Sequence, residues 1–255
     1  DEHGNIDLHQ LEDLLSNNPR TFVSIMHSNN ELGNLKKKKK IAEICQKYNA
    51  IFHSDTVQTM GHYPHDLSKL KIDFITGAGH KFHGPKGVGF LYINANTKIK
   101  PMIYGGAQER NMRGGTENVY GIAGLARALE LSYEHMEEHA AYIQGLKSYM
   151  IEQLKAAIPD IRFNGIIEPN KSLYTVLNVS FPCTDMADML LFNLDIAGIS
   201  CSGGSACSSG TDIGSHVLGA IRADGNRPSV RFSFCRHNTK EEIDFVVSHL
   251  KDLCK

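Results

Sequence analysis

At 255 residues the chain is long enough to build one large domain or two smaller ones, each with a core of its own. Hydrophobic residues make up 41% and charged residues 22%, proportions of a globular protein rather than a disordered tail. A net charge of −1 and the lack of any apolar run long enough to span a bilayer argue against nucleic acid or membrane as partners. The six cysteines, Cys45, Cys183, Cys201, Cys207, Cys235 and Cys254, form no C-x-x-C pair and match no zinc spacing. They read as reduced thiols of a cytoplasmic protein with no metal centre. There is no signal peptide, and Asp1 in first place is what a processed chain or a fragment would show.

The first half alternates strand and helix signals. Residues 21–27 read as a buried strand, and Lys40 to Tyr48 as a helix with Ile41, Ile44 and Cys45 on one face. Residues 50–55, 72–77 and 87–93 read as three further strands. Apolar strands separated by helices indicate an α/β sheet with parallel pairing. A long helical pattern from about Val119 to Ala157, with one break, follows. Residues 174–181 then read as a strand, 185–194 as a helix and 229–234 as a strand. The last helix, 239–253, opens on a capping box with Thr239 as N-cap and Glu242 at N3. This implies a mainly parallel large domain over residues 1–132 and a smaller α+β domain over residues 133–255. The five lysines from Lys36 to Lys40 read as a solvated helix start.

Four residues carry candidate chemistry. Lys81 follows a strand and sits in Gly79-His80-Lys81-Phe82-His83-Gly84-Pro85-Lys86-Gly87, where glycines let the backbone approach a ligand. A lysine amine can form a Schiff base with an aldehyde. Alone, an exposed loop lysine is the better reading, and the Walker spacing of a phosphate loop is lacking. Asp55 ends a strand, where ligands of open α/β sheets bind. There it is equally a helix N-cap or a carboxylate partner for a ring nitrogen. Cys207 lies in Ser202-Gly203-Gly204-Ser205-Ala206-Cys207-Ser208-Ser209-Gly210. Small residues cannot build a core, so the segment reads as a mobile loop presenting a nucleophilic thiol. Arg231 lies on an apolar strand and needs an anionic partner, either a structural carboxylate or a substrate carboxylate. Among the 13 histidines, His80 and His53 are placed for a role.

Taken together, these residues resemble the class V aminotransferase-like branch of fold-type I pyridoxal-phosphate enzymes, and within it the cysteine desulfurases that serve iron–sulfur cluster assembly. The segments carrying the likeness are residues 26–33, 53–58, 79–89, 105–116, 205–207 and 230–233. They are specific in combination and run over essentially the whole chain. The resemblance implies that Lys81 binds pyridoxal 5'-phosphate covalently and that Asp55 pairs with its ring nitrogen. It implies that Gln58 and Asn30 bond the ring oxygen and adjacent edge, Asn30 also serving the substrate, with His80 beside the lysine and the phosphate. Thr116 would reach the cofactor phosphate of a partner subunit, which implies a homodimer. Arg231 would clamp the carboxylate of the substrate L-cysteine. Cys207 would take its sulfur as a persulfide and pass it to an acceptor protein such as an iron–sulfur scaffold.

The family normally carries a further stretch before the position of Asp1, with a threonine-containing phosphate turn and a histidine that stacks on the cofactor. The large domain is therefore expected to be partial, and cofactor retention weak. Ala78 stands where the family has a phosphate-bonding serine, a contact worth roughly 1–2 kcal/mol. Lys36 to Lys40 replaces a more apolar or mixed segment. The alternatives are a selenocysteine lyase, a class V aminotransferase that needs no cysteine nucleophile, and a non-catalytic fragment that binds sulfur-acceptor proteins.

Overall fold

The computed structural model describes residues 1–182, 189–203 and 215–254. These form two compact units. One comprises Leu8–His27 and Lys37–Met136; the other joins Asp1–Asp7 and Ser28–Lys36 to Glu137–Lys255. The segment Ser28–Lys36 therefore packs with the C-terminal half of the chain.

The first unit contains α1 (Leu8–Asn17), β1 (Phe22–Met26), α2 (Lys38–Lys47), β2 (Ile51–Asp55), β3 (Phe74–Ala78), β4 (Gly89–Ile93), a short helical turn α3 (Gln108–Asn111) and α4 (Val119–Glu134). Its sheet has the order β1-β2-β3-β4. β1 and β2 pair in parallel with Met26 opposite Asp55, and β2 and β3 in parallel with Asp55 opposite Thr76. α2 buries Ile41, Ala42 and Cys45 against Val23, Phe52 and Ile75. It ends where Asn49 takes a left-handed φ of 54° and Ala50 N–H closes on Cys45 O, turning the chain into β2.

β4 departs from the parallel pairing expected of it: it runs antiparallel to β3, with Ala78 opposite Gly89. Residues 79–88 are too few for a crossover, which takes a dozen or more residues. The close approach needs glycine on both strands. A Cβ on Gly77 would lie 2.4 Å from the Phe90 ring, and one on Gly89 would lie 2.5 Å from Gly77 O.

α4 gives way to α5 (Met136–Ala157) at His135, the single expected break. From Glu137 onward α5 belongs to the second unit, with β5 (Arg162–Phe163), β6 (Val176–Ser180), α6 (Leu190–Ile196), α7 (His216–Ala220), β7 (Ser229–Ser233) and α8 (Lys240–Leu253). The sheet order is β5-β6-β7, antiparallel throughout. Every residue of β6 is buried, and β7 puts Val230 and Phe232 into the core while Arg231 faces the other way. α8 opens with the predicted capping box of Thr239 and Glu242. Of the helix expected over 185–194, residues 185–188 lie outside the described residues, and α6 begins at Leu190.

Candidate active site

In the first unit the site grows from the carboxyl ends of β2 and β3. The Asp55 side chain accepts from Val57 N–H at 2.8 Å. Thr56 then ties the two strands together, its N–H and its hydroxyl both donating to Thr76 O at 3.1 and 2.7 Å. Asp55 and Gln58 are half-buried at this edge. Beyond β3 the chain makes one 3-10 turn over Gly79–Phe82. Phe82 is sunk in the core, which leaves His80 and Lys81 exposed on the opposite side of the turn. The turn is fastened by Gly79 N–H to Val88 O at 3.0 Å and Gly84 N–H to Gly79 O at 2.9 Å. His62 Nε2 donates to Lys81 O at 3.1 Å. Thr116 is exposed on the connection into α4. Adjacent parallel strands thus bring Asp55 and the Lys81 turn to one edge of one sheet. His53 lies on a sheet face, stacked on Phe22 and bonded to Ser24 at 2.8 Å, and burial lowers its pKa.

Behind Asp55 lies a polar cluster that the sequence does not announce. His27 follows β1, donates its N–H to Asp55 O at 2.8 Å, and pairs Nδ1 with Thr59 Oγ1 at 2.8 Å. Its ring meets Tyr63 and His65 edge-on, with centroids 6.4 and 5.3 Å apart. Lys38 Nζ lies 2.6 Å from His65 Nδ1. An ammonium only donates, so Nδ1 accepts and the His65 proton sits on Nε2. Burial, then the Lys38 charge, pushes His27 down to about 3 and His65 down to about 4. Burial lowers Lys38 to about 8. Both rings are neutral at pH 7.

The lysine run is therefore not the solvated stretch expected. Lys37, Lys39 and Lys40 are exposed, but Lys38 is spent on His65. Lys36 donates to Gly4 O, and burial lowers its pKa.

The second unit holds Asn30 and Arg231. Arg231, in β7 opposite Asn178, donates from Nη1 to Asn30 O at 3.0 Å. Asn29 Oδ1 accepts from the N–H groups of Glu31 and Leu32 at 2.9 and 2.8 Å, which curls the turn carrying Asn30. Cys207 lies outside the described residues. The thiols of Cys45 and Cys201 are each pushed up to about 11 by burial first, then by Asp73 and Asp195 respectively, so neither is a thiolate at neutral pH.

The model of the family described as aminotransferase class-V matches residues 1–246. The chain belongs to this family. Class-V relatives include a cysteine desulfurase IscS of Dictyoglomus turgidum, 38% identical over 253 residues. That match covers 98% of this chain and 63% of the relative, so the chain spans less than two thirds of that protein's length. Among solved structures, a NifS-like protein from Rickettsia africae superposes with a TM-score of 0.89 at 32% identity, covering 99% of this chain and 68% of that one. A structure described as SspA in complex with cysteine gives 0.76 at 28% identity, covering 93% and 65%. Fold-type I architecture and the pyridoxal-phosphate dependence of class-V enzymes come with this membership.

Proposed function

We propose that the chain carries the greater part of a pyridoxal-phosphate cysteine desulfurase, which converts L-cysteine to L-alanine and takes the sulfur onto Cys207. The observation that carries this reading is the placement of Lys81 and Asp55 at the carboxyl edge of one sheet, in a class-V chain whose relatives are named cysteine desulfurases. The donor set suits the cofactor: an exposed amine for its aldehyde, and a carboxylate on the neighbouring parallel strand for its ring nitrogen. When bound, the cofactor draws electrons from the substrate α-carbon and so acidifies its proton.

The chain's own residues then have these roles. Lys81 Nζ holds the cofactor, is released when substrate arrives, and takes the α-proton. Asp55 keeps the ring nitrogen protonated, and the strand ties through Thr56 keep Asp55 in place. His62 and the buried Phe82 orient the turn from which Lys81 projects. Gln58, His80 and Asn30 bond the cofactor, and Thr116 reaches that of a second subunit. Arg231 receives the substrate carboxylate through its guanidinium fork. The Cys207 thiolate attacks the substrate sulfur. The new S–S bond forms as the Cβ–S bond breaks; that bond's electron pair passes to the carbon, which is reprotonated and leaves as alanine. The raised pKa of Cys45 and Cys201 makes those two thiols poor rivals for this role.

The persulfide is handed to an acceptor protein, such as an iron–sulfur scaffold, in a reducing cytoplasm; the free thiols of Cys45, Cys201 and Cys235 agree with that setting. A homodimer is supported by the exposed Met102, Tyr104 and Tyr120 flanking Thr116 in sequence, Met102 and Tyr120 being 91% accessible.

The test is an absorbance titration with pyridoxal phosphate, followed by alanine release from L-cysteine. A visible band that Lys81→Ala abolishes, with alanine release that Cys207→Ala abolishes, is expected. Alanine release undiminished in Cys207→Ala would favour a lyase-type reaction, and cysteine turnover without alanine a transaminase; either would overturn the desulfurase reading.

A further inference from the structure

Glu31 sits between Asn30 and Leu32 in the turn that the second unit presents, yet it has 1% of its surface exposed. A carboxylate so placed has lost its water and needs hydrogen bonds to persist. Its Oε2 accepts from the hydroxyl of Ser215 at 2.5 Å, across 184 residues of sequence. Ser215 is the N-cap of α7, and its Oγ accepts from Leu218 N–H at 3.1 Å. The hydroxyl thus spends its proton on Glu31 and a lone pair on the helix, a division only a hydroxyl residue can make at this position.

The turn around Glu31 is itself clamped. Asn178 Nδ2 donates to Glu31 O at 3.3 Å, Arg231 donates to Asn30 O at 3.0 Å, and Ser28 Oγ donates to Gly33 O at 3.1 Å. Leu173 N–H donates to Gly33 O at 2.7 Å. The carboxylate is therefore a fixed point, and Ser215 is fastened to it. In sequence Ser215 is the eighth residue after Cys207.

We propose that Glu31 is a positioning residue for the sulfur-transfer step: it anchors the chain downstream of Cys207, through Ser215, to the turn that carries Asn30. This rests on the desulfurase reading. Glu31 acts through Ser215, by fixing where the Cys207 segment is attached.

The test uses the full chain with Glu31→Ala, Glu31→Gln and Ser215→Asp. Gln keeps a carbonyl oxygen that accepts from the Ser215 hydroxyl. Asp at 215 keeps the cap for Leu218 N–H but has no proton to donate and opposes Glu31 with like charge. Three readouts are taken: amide exchange of residues 216–220, the iodoacetamide alkylation rate of Cys207 by peptide mass mapping, and kcat against KM for alanine formation. Expected in Glu31→Ala and Ser215→Asp are amide exchange and Cys207 alkylation each altered about tenfold, with kcat lowered about tenfold and KM within about twofold, an effect of about 1.4 kcal/mol on the transfer step. Glu31→Gln should stay close to wild type in all three.

Unchanged exchange and alkylation in the two disrupting variants would overturn the proposal. So would a loss in Glu31→Gln equal to that in Glu31→Ala. If Glu31→Ala fails to fold, Ser215→Asp and Glu31→Gln decide the matter by the same readouts. Should wild type release no alanine, the desulfurase reading fails for this chain on its own, while exchange and alkylation still report on the anchor.

Discussion

Lys147 is a buried lysine with no carboxylate opposite it among the described residues, and its titration can be read as stability. It lies in α5 with 1% exposure, and its ammonium donates to Ser172 Oγ at 2.7 Å and Leu173 O at 2.9 Å. Both acceptors are neutral, so they offset desolvation only in part, and burial lowers the pKa from 10.5 to about 8. At ~1.36 kcal/mol per pH unit, that drop amounts to about 3 kcal/mol. Between pH 8 and 10.5 the unfolded chain still holds a proton that the folded chain has released. Stability from this group therefore rises with pH across the window and is constant below it. The clean comparison is Lys147→Met, which keeps the length and removes the titration, so that other groups cancel in the difference. Urea denaturation of both proteins, from below pH 8 to above 10.5, should show wild type gaining about 3 kcal/mol on the variant. A difference that stays flat across the window would mean that the ammonium remains charged in the folded protein, and would refute the reasoning.

At the acid end, His27 and His65 titrate near 3 and 4 when folded and near 6.5 when unfolded, so protons bind the unfolded chain first. Stability should fall as pH drops below 6.5 toward 4, and the decline should be shallower in His65→Asn, measured by denaturation over that range. Gly61 has φ +77°, and a Cβ there would lie 2.7 Å from Phe82 Cβ. Gly61→Ala should cost about 2–4 kcal/mol and weaken the pyridoxal-phosphate absorbance by displacing the Lys81 turn; an unchanged melting temperature would contradict this. Arg227, 9% exposed, donates to Asp160 Oδ2 at 2.8 Å and to Ser180 O at 3.1 Å. Arg227→Met should destabilise by about 2–4 kcal/mol in urea titrations, whereas Asp160→Asn, at an exposed carboxylate, should leave the urea midpoint close to wild type.

The sequence showed its periodic features well. Strands β1, β2, β3, β6 and β7 stand within a few residues of the apolar runs that announced them. A single break in the 119–157 helical pattern was expected, though its place at His135 was not, and the Thr239–Glu242 capping box was read from local pattern because a cap is a contact between residues three apart. The direction of β4 was not legible from its residues. It depended on the length of residues 79–88 and on glycines facing each other across the pair. Lys81 and Asp55 could be singled out because glycine spacing and a strand-end carboxylate are local signals. Glu31, His62 and Lys147 could not, since each acts through a partner distant in sequence.

What the amino-acid order determined by itself is the strand and helix runs and the candidate amine and carboxylate, which are local signals of spacing along the chain, together with the motifs on which the family resemblance rests. Tertiary structure alone decided the rest. It drew Ser28–Lys36 to the C-terminal half, turned Lys38 inward to His65, and set Glu31 against Ser215. Those outcomes depend on which polar groups lose water together, and a buried charge is settled only by the partner that folding brings to it.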